Sequence, residues 1–218
     1  MFTGIIQEIG TVARVRRVGD ITALTIAAPK VSAGLGLGES VAVNGVCLSV
    51  VRAGRGHVKF EMVPETQRLT TLGGLRAGSR VNVEPSLRLS DRLNGHLVLG
   101  HVDGIGRITR LRRRGEHVEM SLRIPAALGR YCISKGSIAV DGVSLTVGVW
   151  RPPLLGTVYL IPETLRRTTL GLRRVGEAVN LELDYVAKLV WCAAQVYGAA
   201  GSFGRKRTVS SKCSKTCS

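Results

Sequence analysis

Ser40–Val50 reads SVAVNGVCLSV, and Ser137–Val147 reads SIAVDGVSLTV, with the same residue at seven of eleven positions. Both stretches have strand composition broken by a turn dipeptide, Asn44-Gly45 and Asp141-Gly142. Val41 and Val43 fall in one alternation phase before the first dipeptide, whereas Val46, Leu48 and Val50 fall in the other phase after it. A glycine that admits a bulge or a tight turn resets which face points inward. With the phase reset, Cys47 and Ser49 project away from the apolar face, as do Ser144 and Thr146 in the second copy. The repeat therefore presents small polar groups at matched places, and one of them is a thiol.

The repetition reaches further. Val63–Glu84, VPETQRLTTLGGLRAGSRVNVE, returns as Ile161–Glu182, IPETLRRTTLGLRRVGEAVNLE, with thirteen of twenty-two positions identical. Gly10-Thr11-Val12 matches Gly106-Arg107-Ile108, and Ala28-Pro29 matches Ile124-Pro125. A period of this length signals a duplicated domain, not a solenoid. Each half reads as five or six short strands separated by turn residues, among them Ile21–Ala27, His57–Val63 and Ser79–Glu84, the pattern of a small barrel or sandwich. Phe2, Ile5 and Ile6 call for burial, so the N-terminus is expected to be tied down. The glycines of GLGLG at 34–38 precede a strand and open no helix, which excludes a dinucleotide fingerprint.

A connector, Ser86–His101, joins the copies. After Asp184 the pattern changes, with Val186, Leu189, Val190 and Ala193 spaced for an amphipathic helix ended by Gly201 and Gly204. The resulting division is a first barrel at 1–95, a second at 96–187, a helix at 188–203 and a basic disordered tail at 204–218. The net charge of +16 invites a nucleic-acid reading, but the cations are spread in short groups and aromatics make up only 4%. Without a basic-aromatic stripe, a solvated basic surface is the better account. Five cysteines make no disulfide framework, and no apolar run nears the roughly 20 residues of a membrane span. The N-terminus shows no secretory leader pattern, so the expected location is cytoplasmic with reduced thiols.

MFTGI, NGVCLSV, GHLVLGHVDG, KGSIAVDGVSLTV and IPETLRRTTLG together resemble the riboflavin synthase family over about residues 1–190. The resemblance implies an all-β fold of two tandem six-stranded antiparallel Greek-key barrels and a C-terminal helix that assembles a homotrimer. It implies dismutation of two 6,7-dimethyl-8-ribityllumazine molecules by four-carbon transfer, giving riboflavin and 5-amino-6-(D-ribitylamino)uracil, with no metal or cofactor. Association with lumazine synthase is left open. Carried over by motif, the ligand contacts are Gly4, Ile5 and Ile6; Cys47, Leu48 and Ser49; and Glu61, Met62, Val63, Pro64, Glu65 and Thr66. The connector adds Gly100, His101 and Val102, and the second copy adds Lys135, Ser144, Leu145, Thr146, Ile161, Pro162, Glu163, Thr164, Leu165 and Arg166. Ser40, Cys47, His101 and Asp184 are the candidates for nucleophile activation and proton transfer.

Each candidate has a plainer reading. Cys47 alone reads as a small buried hydrophobe. His96 and His101 lie five apart without an evident third ligand, so metal binding is not expected, and His101 ranks above His96 as acid, base or ligand contact. His57 and His117 read as polar strand ends, Cys132 and Cys192 as core, and Cys213 and Cys217 lack metal partners. Glu65-Thr66 and Glu163-Thr164 recur in both halves, which suggests a shared local role with the threonine capping a short helix. The competing functions are a non-catalytic lumazine or flavin carrier of the same superfamily and a basic RNA-binding barrel.

Overall fold

The computed structural model describes residues 1–200. Its first barrel comprises β1 (Glu8–Val18), β2 (Ile21–Ala27), β3 (Ser40–Val43), β4 (Val46–Gly54), β5 (His57–Met62) and β6 (Arg80–Pro85), closed in the order β1-β2-β5-β4-β3-β6. The second comprises β7 (Gly104–Arg114), β8 (His117–Arg123), β9 (Ser137–Val140), β10 (Val143–Arg151), β11 (Leu155–Leu160) and β12 (Ala178–Leu183), closed in the equivalent order. Every pairing is antiparallel. The barrels are all-β, with α1 (Pro29–Ser32), α2 (Pro64–Leu69) and α3 (Pro162–Arg167) as short connecting helices and α4 (Tyr185–Ala200) after the last strand.

Alternation decides each strand's inner face. Thr22, Leu24 and Ile26 of β2 point inward beside Val58, Phe60 and Met62 of β5. Each fully buried aliphatic or aromatic side chain contributes about 1.5–3 kcal/mol. The phase reset at the repeated hairpin comes from tight turns. Asn44 (φ 44°) and Gly45 (φ 77°), and Asp141 (φ 46°) and Gly142 (φ 77°), form two-residue primed turns that pair Val43 with Val46 and Val140 with Val143. Bulges at Val12/Arg14, Val50/Arg52, Ile108/Arg110 and Val147/Val149 occupy matched places in the two copies, where they bend the strands into closure.

The two turns meet. A Cβ added to Gly45 would lie 2.6 Å from the Gly142 nitrogen, so backbone packs against backbone where the barrels join. Reciprocal asparagine bonds cross the joint. Asn82 Nδ2 donates to Asp141 O (2.8 Å) while its Oδ1 accepts from Thr169 N (2.7 Å). Asn180 Nδ2 donates to Asn44 O (2.8 Å) while its Oδ1 accepts from Thr71 N (2.8 Å). Both asparagines are buried, and each replaces water with backbone partners from the opposite half.

Three local expectations change. Thr66 and Thr164 lie inside α2 and α3, whose N-caps are Val63 and Ile161; the capping threonines are Thr70 and Thr168, which accept from Leu72 N and Leu170 N to start short 3-10 turns. An N-cap is an extended residue just before the turn that accepts through its side-chain oxygen, which is where Thr70 and Thr168 stand. Cys132 is buried, but Cys192 is only half-buried because α4 docks along one edge, through Tyr131 against Trp191 (centroids 5.5 Å apart). The helix starts at Tyr185, where Asp184 Oδ1 accepts from Val186 N, and Val186, Leu189 and Val190 stay exposed. Residues 201–203 of the expected helix, the basic tail, Cys213 and Cys217 lie outside the described residues.

Candidate functional site

Two leader segments cross at the centre of the molecule. Phe2 and Val98 form an antiparallel bridge (N···O 2.7 and 3.1 Å) and pack with Ala42 and Ala139. Beyond it, each leader touches the hairpin of the other barrel. Gly4, which precedes the first barrel, accepts from Ser144 N of the second through its carbonyl (2.8 Å). Gly100, which precedes the second barrel, accepts from Cys47 N of the first (2.8 Å). Gly4 (φ 76°) and Gly100 (φ 79°) cannot be replaced freely, because an added Cβ would come within 2.6 Å of Ser144 Cβ or 2.7 Å of Cys47 Cβ.

Each leader is held to its own barrel by a buried carboxylate. Glu84 accepts from Thr3 N, Thr3 Oγ1 and Gly4 N (2.8, 2.9 and 3.1 Å). Glu182 accepts from Leu99 N and Gly100 N (2.6 and 2.9 Å). Burial raises both pKa values, that of Glu182 to about 7, against the opposing pull of the donated N–H groups.

The crossing collects the sequence candidates into two groups. In the first, Cys47, Leu48 and Ser49 on β4 lie against Gly100, which carries His101 and Val102 with it. Registered pairing of β4 with β5 begins only at Val50↔Phe60, so Cys47–Ser49 and the Glu61–Thr66 segment follow where the strands part. In the second, Ser144–Thr146 lie against Gly4–Ile6, and β10 parts from β11 beyond Val147↔Val158, which leads to Ile161–Arg166. Lys135 joins this end through its N–H to Val147 O. Leu48, Met62, Leu145 and Ile6 turn their side chains into the barrel cores. Cys47 is half-buried, while Ser49, Thr146 and His101 are exposed.

The four candidate reactive residues do not share one place. Ser40 is registered against Ser49 and Ala42 against Cys47, so Ser40 and Cys47 share a hairpin face beside the His101 leader. Asp184 belongs to the second group, near enough to His96 for its carboxylate to oppose the burial that lowers that histidine's pKa. His96 is the residue that sequence reasoning underrated. Its Nδ1 lies 2.7 Å from Ser144 Oγ, and its Nε2 is buried without a partner among the described residues. The connector supplies it with no counterpart before the first barrel, so the repeat gave no signal. Asn82, Asn180, Glu84 and Glu182 did carry one: polar residues preserved within the apolar repeats VNVE and VNLE.

The two groups thus have matching scaffolds and unequal chemistry. One has a half-buried thiol on the strand that meets the leader carrying the exposed His101, and the other has a hydroxyl held against His96, whose pKa burial lowers. Small hydroxyls and backbone groups at parted strands suit a polar heterocycle with a hydroxylated chain. Among the described residues, no three His, Cys, Asp or Glu side chains gather as a metal site.

Comparison with known proteins gives a concordant picture. The lumazine binding domain family matches residues 3–86 and 99–184, one match per barrel. The riboflavin synthase of Bacillus amyloliquefaciens is 40% identical over 191 residues, covering 88% of each chain. That of Mycobacterium bovis is 47% identical over 199 residues, covering 87% of this chain and 96% of the relative. In fold, the chain is similar to LumP complexed with riboflavin (TM-score 0.78, 24% identity) and with 6,7-dimethyl-8-(1'-D-ribityl) lumazine (TM-score 0.76, 24% identity), each covering 84% of this chain and 99% of that one.

Proposed function

The chain belongs to the lumazine-binding family, and on that premise we propose that it is a riboflavin synthase. It is a transferase that moves a four-carbon unit between two molecules of 6,7-dimethyl-8-ribityllumazine, releasing riboflavin and 5-amino-6-(D-ribitylamino)uracil. The observation that carries the reading is the crossed pair of leaders. They give the two halves one scaffold, with Cys47 N–H on Gly100 O in one and Ser144 N–H on Gly4 O beside His96 in the other, which supports a reading of two ligand sites of unequal chemistry. A reaction between two identical molecules, one donor and one acceptor, calls for that inequality.

The lumazine's 7-methyl group is acidic in its own right because its anion delocalises over the ring. The protein's task is therefore chiefly orientation, which contributes about 7–11 kcal/mol in well-aligned systems. Positioned proton transfer adds on the order of 10²–10⁴-fold. Cys47 is the candidate nucleophile toward one ring, with His101, next to the Gly100 that accepts from Cys47 N, the candidate acid or base; a thiolate is the attacking form. Asp184, beside the second group, is the candidate proton acceptor there. Within one protomer the groups lie on different barrels, so donor and acceptor meet across a subunit contact. The exposed Val186, Leu189 and Val190 of α4 supply an apolar face for a homotrimer. A cytoplasmic location accords with the free thiols of Cys47, Cys132 and Cys192, and no described helix is long and apolar enough to cross a membrane.

Incubating the purified protein with 6,7-dimethyl-8-ribityllumazine and following riboflavin absorbance tests the reading. Riboflavin and the uracil product should form in equal amounts. Tight lumazine binding without product would leave only the carrier function.

A further inference from the structure

Strand alternation and a bulge between Ile108 and Arg110 send Arg107, Arg110, Arg112 and Arg114 of β7 to the outside of the second barrel. Sheet registration adds to them. Arg107 lies opposite Arg123, Arg123 opposite Leu155, and Leu155 opposite Arg151, so one row across four strands holds three arginines. The next row runs Arg110, Ser121, Thr157 and Val149, and the third runs Arg112, Glu119 and Tyr159. Registered partners share a face. Their strand neighbours Ile108, Met120, Leu122 and Val158 are buried, so all three rows look outward.

Glu119 is the only carboxylate in these rows, and it lies 3.5 Å from Arg114. Arg110, Arg112, Arg123 and Arg151 enter no ion pair with a described residue. Arg107 and Arg123 oppose each other directly, which destabilises a strand pair unless an anion lies between them. Beside the cations, Tyr159 is 42% exposed and meets His117 edge-on, with ring centroids 6.2 Å apart. In sequence these residues fall in separate short groups; the barrel brings cations and rings onto one surface.

The first barrel is an internal control. Its equivalent rows run Thr11, Ala27, His57, Gly54; then Arg14, Thr25, Lys59, Arg52; then Arg16, Ala23, Glu61. Arg14 and Arg16 match Arg110 and Arg112. The three-arginine row has no counterpart, because Thr11, Ala27 and Gly54 stand where the second barrel has Arg107, Arg123 and Arg151. Glu61 stands where it has Tyr159. Dense charge together with an exposed ring is therefore particular to the second barrel.

We infer that this outer face of the second barrel binds single-stranded nucleic acid, with phosphates on the arginine rows and a base on Tyr159. Guanidinium forks match phosphate oxygens with charge-assisted hydrogen bonds. Arg110, Arg112 and Arg114 recur about 7 Å apart along β7, a spacing on the scale of successive phosphates in an extended strand. A tyrosine ring accepts the flat face of any base, so recognition is independent of sequence. A second copy of a chain with net charge +16 offers little to complement this face. An acidic peptide would use the arginines and leave the ring idle.

Fluorescence anisotropy of the full chain with a labelled oligothymidylate of about twenty nucleotides, read over a series of salt concentrations, tests this. Each phosphate held on a single strand contributes about −0.7 to the slope of log K against log salt. The double variant Arg110→Ala, Arg123→Ala should therefore flatten the slope by about 1.4. Its thermal midpoint should not fall, because Arg123 is one of two opposed like charges. The first-barrel double variant Arg14→Ala, Arg52→Ala should flatten the slope by less than half as much. Tyr159→Leu, which keeps an apolar side chain in place, should weaken binding at least about fivefold with the slope unchanged. Absence of binding at low salt would overturn the inference. So would equal flattening by the two double variants, which would show diffuse attraction to a basic chain. Polyglutamate that displaces the oligonucleotide charge for charge as well as unlabelled DNA does would also overturn it, in favour of an acidic protein partner.

Discussion

At the scale of single residues, the informative positions are those where the duplicated halves disagree. Cys47 and Ser144 hold the same place in the same hairpin, each with its N–H on the carbonyl of a crossing glycine. Cys47→Ser should therefore leave lumazine affinity near its original value and lower kcat by at least tenfold; an unchanged kcat would reduce Cys47 to packing. Glu182 makes a prediction in pH. Its pKa is about 7 when folded against a usual 4.5, so between these values the folded state holds more protons than the unfolded chain. Its contribution is complete below about pH 4.5 and is lost as pH rises toward 7, by on the order of 3 kcal/mol. Urea unfolding at pH 5 and 7.5 should show the native chain losing stability relative to Glu182→Gln over that interval; parallel curves would refute it. The sequence pointed to Cys47 because alternation places it on the polar face. It could not point to His96, whose importance comes from a long-range hydrogen bond to Ser144 that no local pattern encodes.

At the scale of elements, hairpins and short helical turns set the geometry, and here the sequence was most legible. Two-residue Asn-Gly and Asp-Gly turns announce themselves, and period-two burial follows from strand composition. The sequence shows a threonine near each helix start, Thr66 and Thr164, but not where the N–H groups need an acceptor, which is at Thr70 and Thr168. Calorimetry should find Thr70→Ala and Thr168→Ala each destabilising by about 1 kcal/mol. Thr66→Ala should be nearly neutral in stability and show its effect in ligand affinity. The positive-φ glycines separate two costs. Gly38→Ala (φ 81°, with open space around it) should lose only about 1 kcal/mol from backbone strain. Gly45→Ala adds a backbone collision with Gly142 and should lose at least twice as much.

For the whole molecule, duplication made the two-barrel architecture readable, while the way the halves join was hidden. Which asparagine reaches which carbonyl depends on how two closed barrels dock, and nothing within either repeat specifies that. Asn82→Ala removes two bonds to the opposite half, from Asn82 Nδ2 to Asp141 O and from Thr169 N to Asn82 Oδ1. It should cost about 2–3 kcal/mol and split a single calorimetric transition into two; an unchanged single transition would show that the turns and leaders alone couple the barrels. The crossed leaders carry a further consequence. Each carboxylate ties a leader to its own barrel, yet the leader's carbonyl completes the neighbour's hairpin. A polypeptide holding one half alone would have a leader with nothing to complete and a hairpin with nothing to complete it. Two such halves satisfy each other by reciprocal exchange, which is the arrangement of a twofold-symmetric dimer. The present chain is that dimer written as one polypeptide. Within one polypeptide the two equivalent hairpins need not be identical, and here one carries a thiol and the other a hydroxyl.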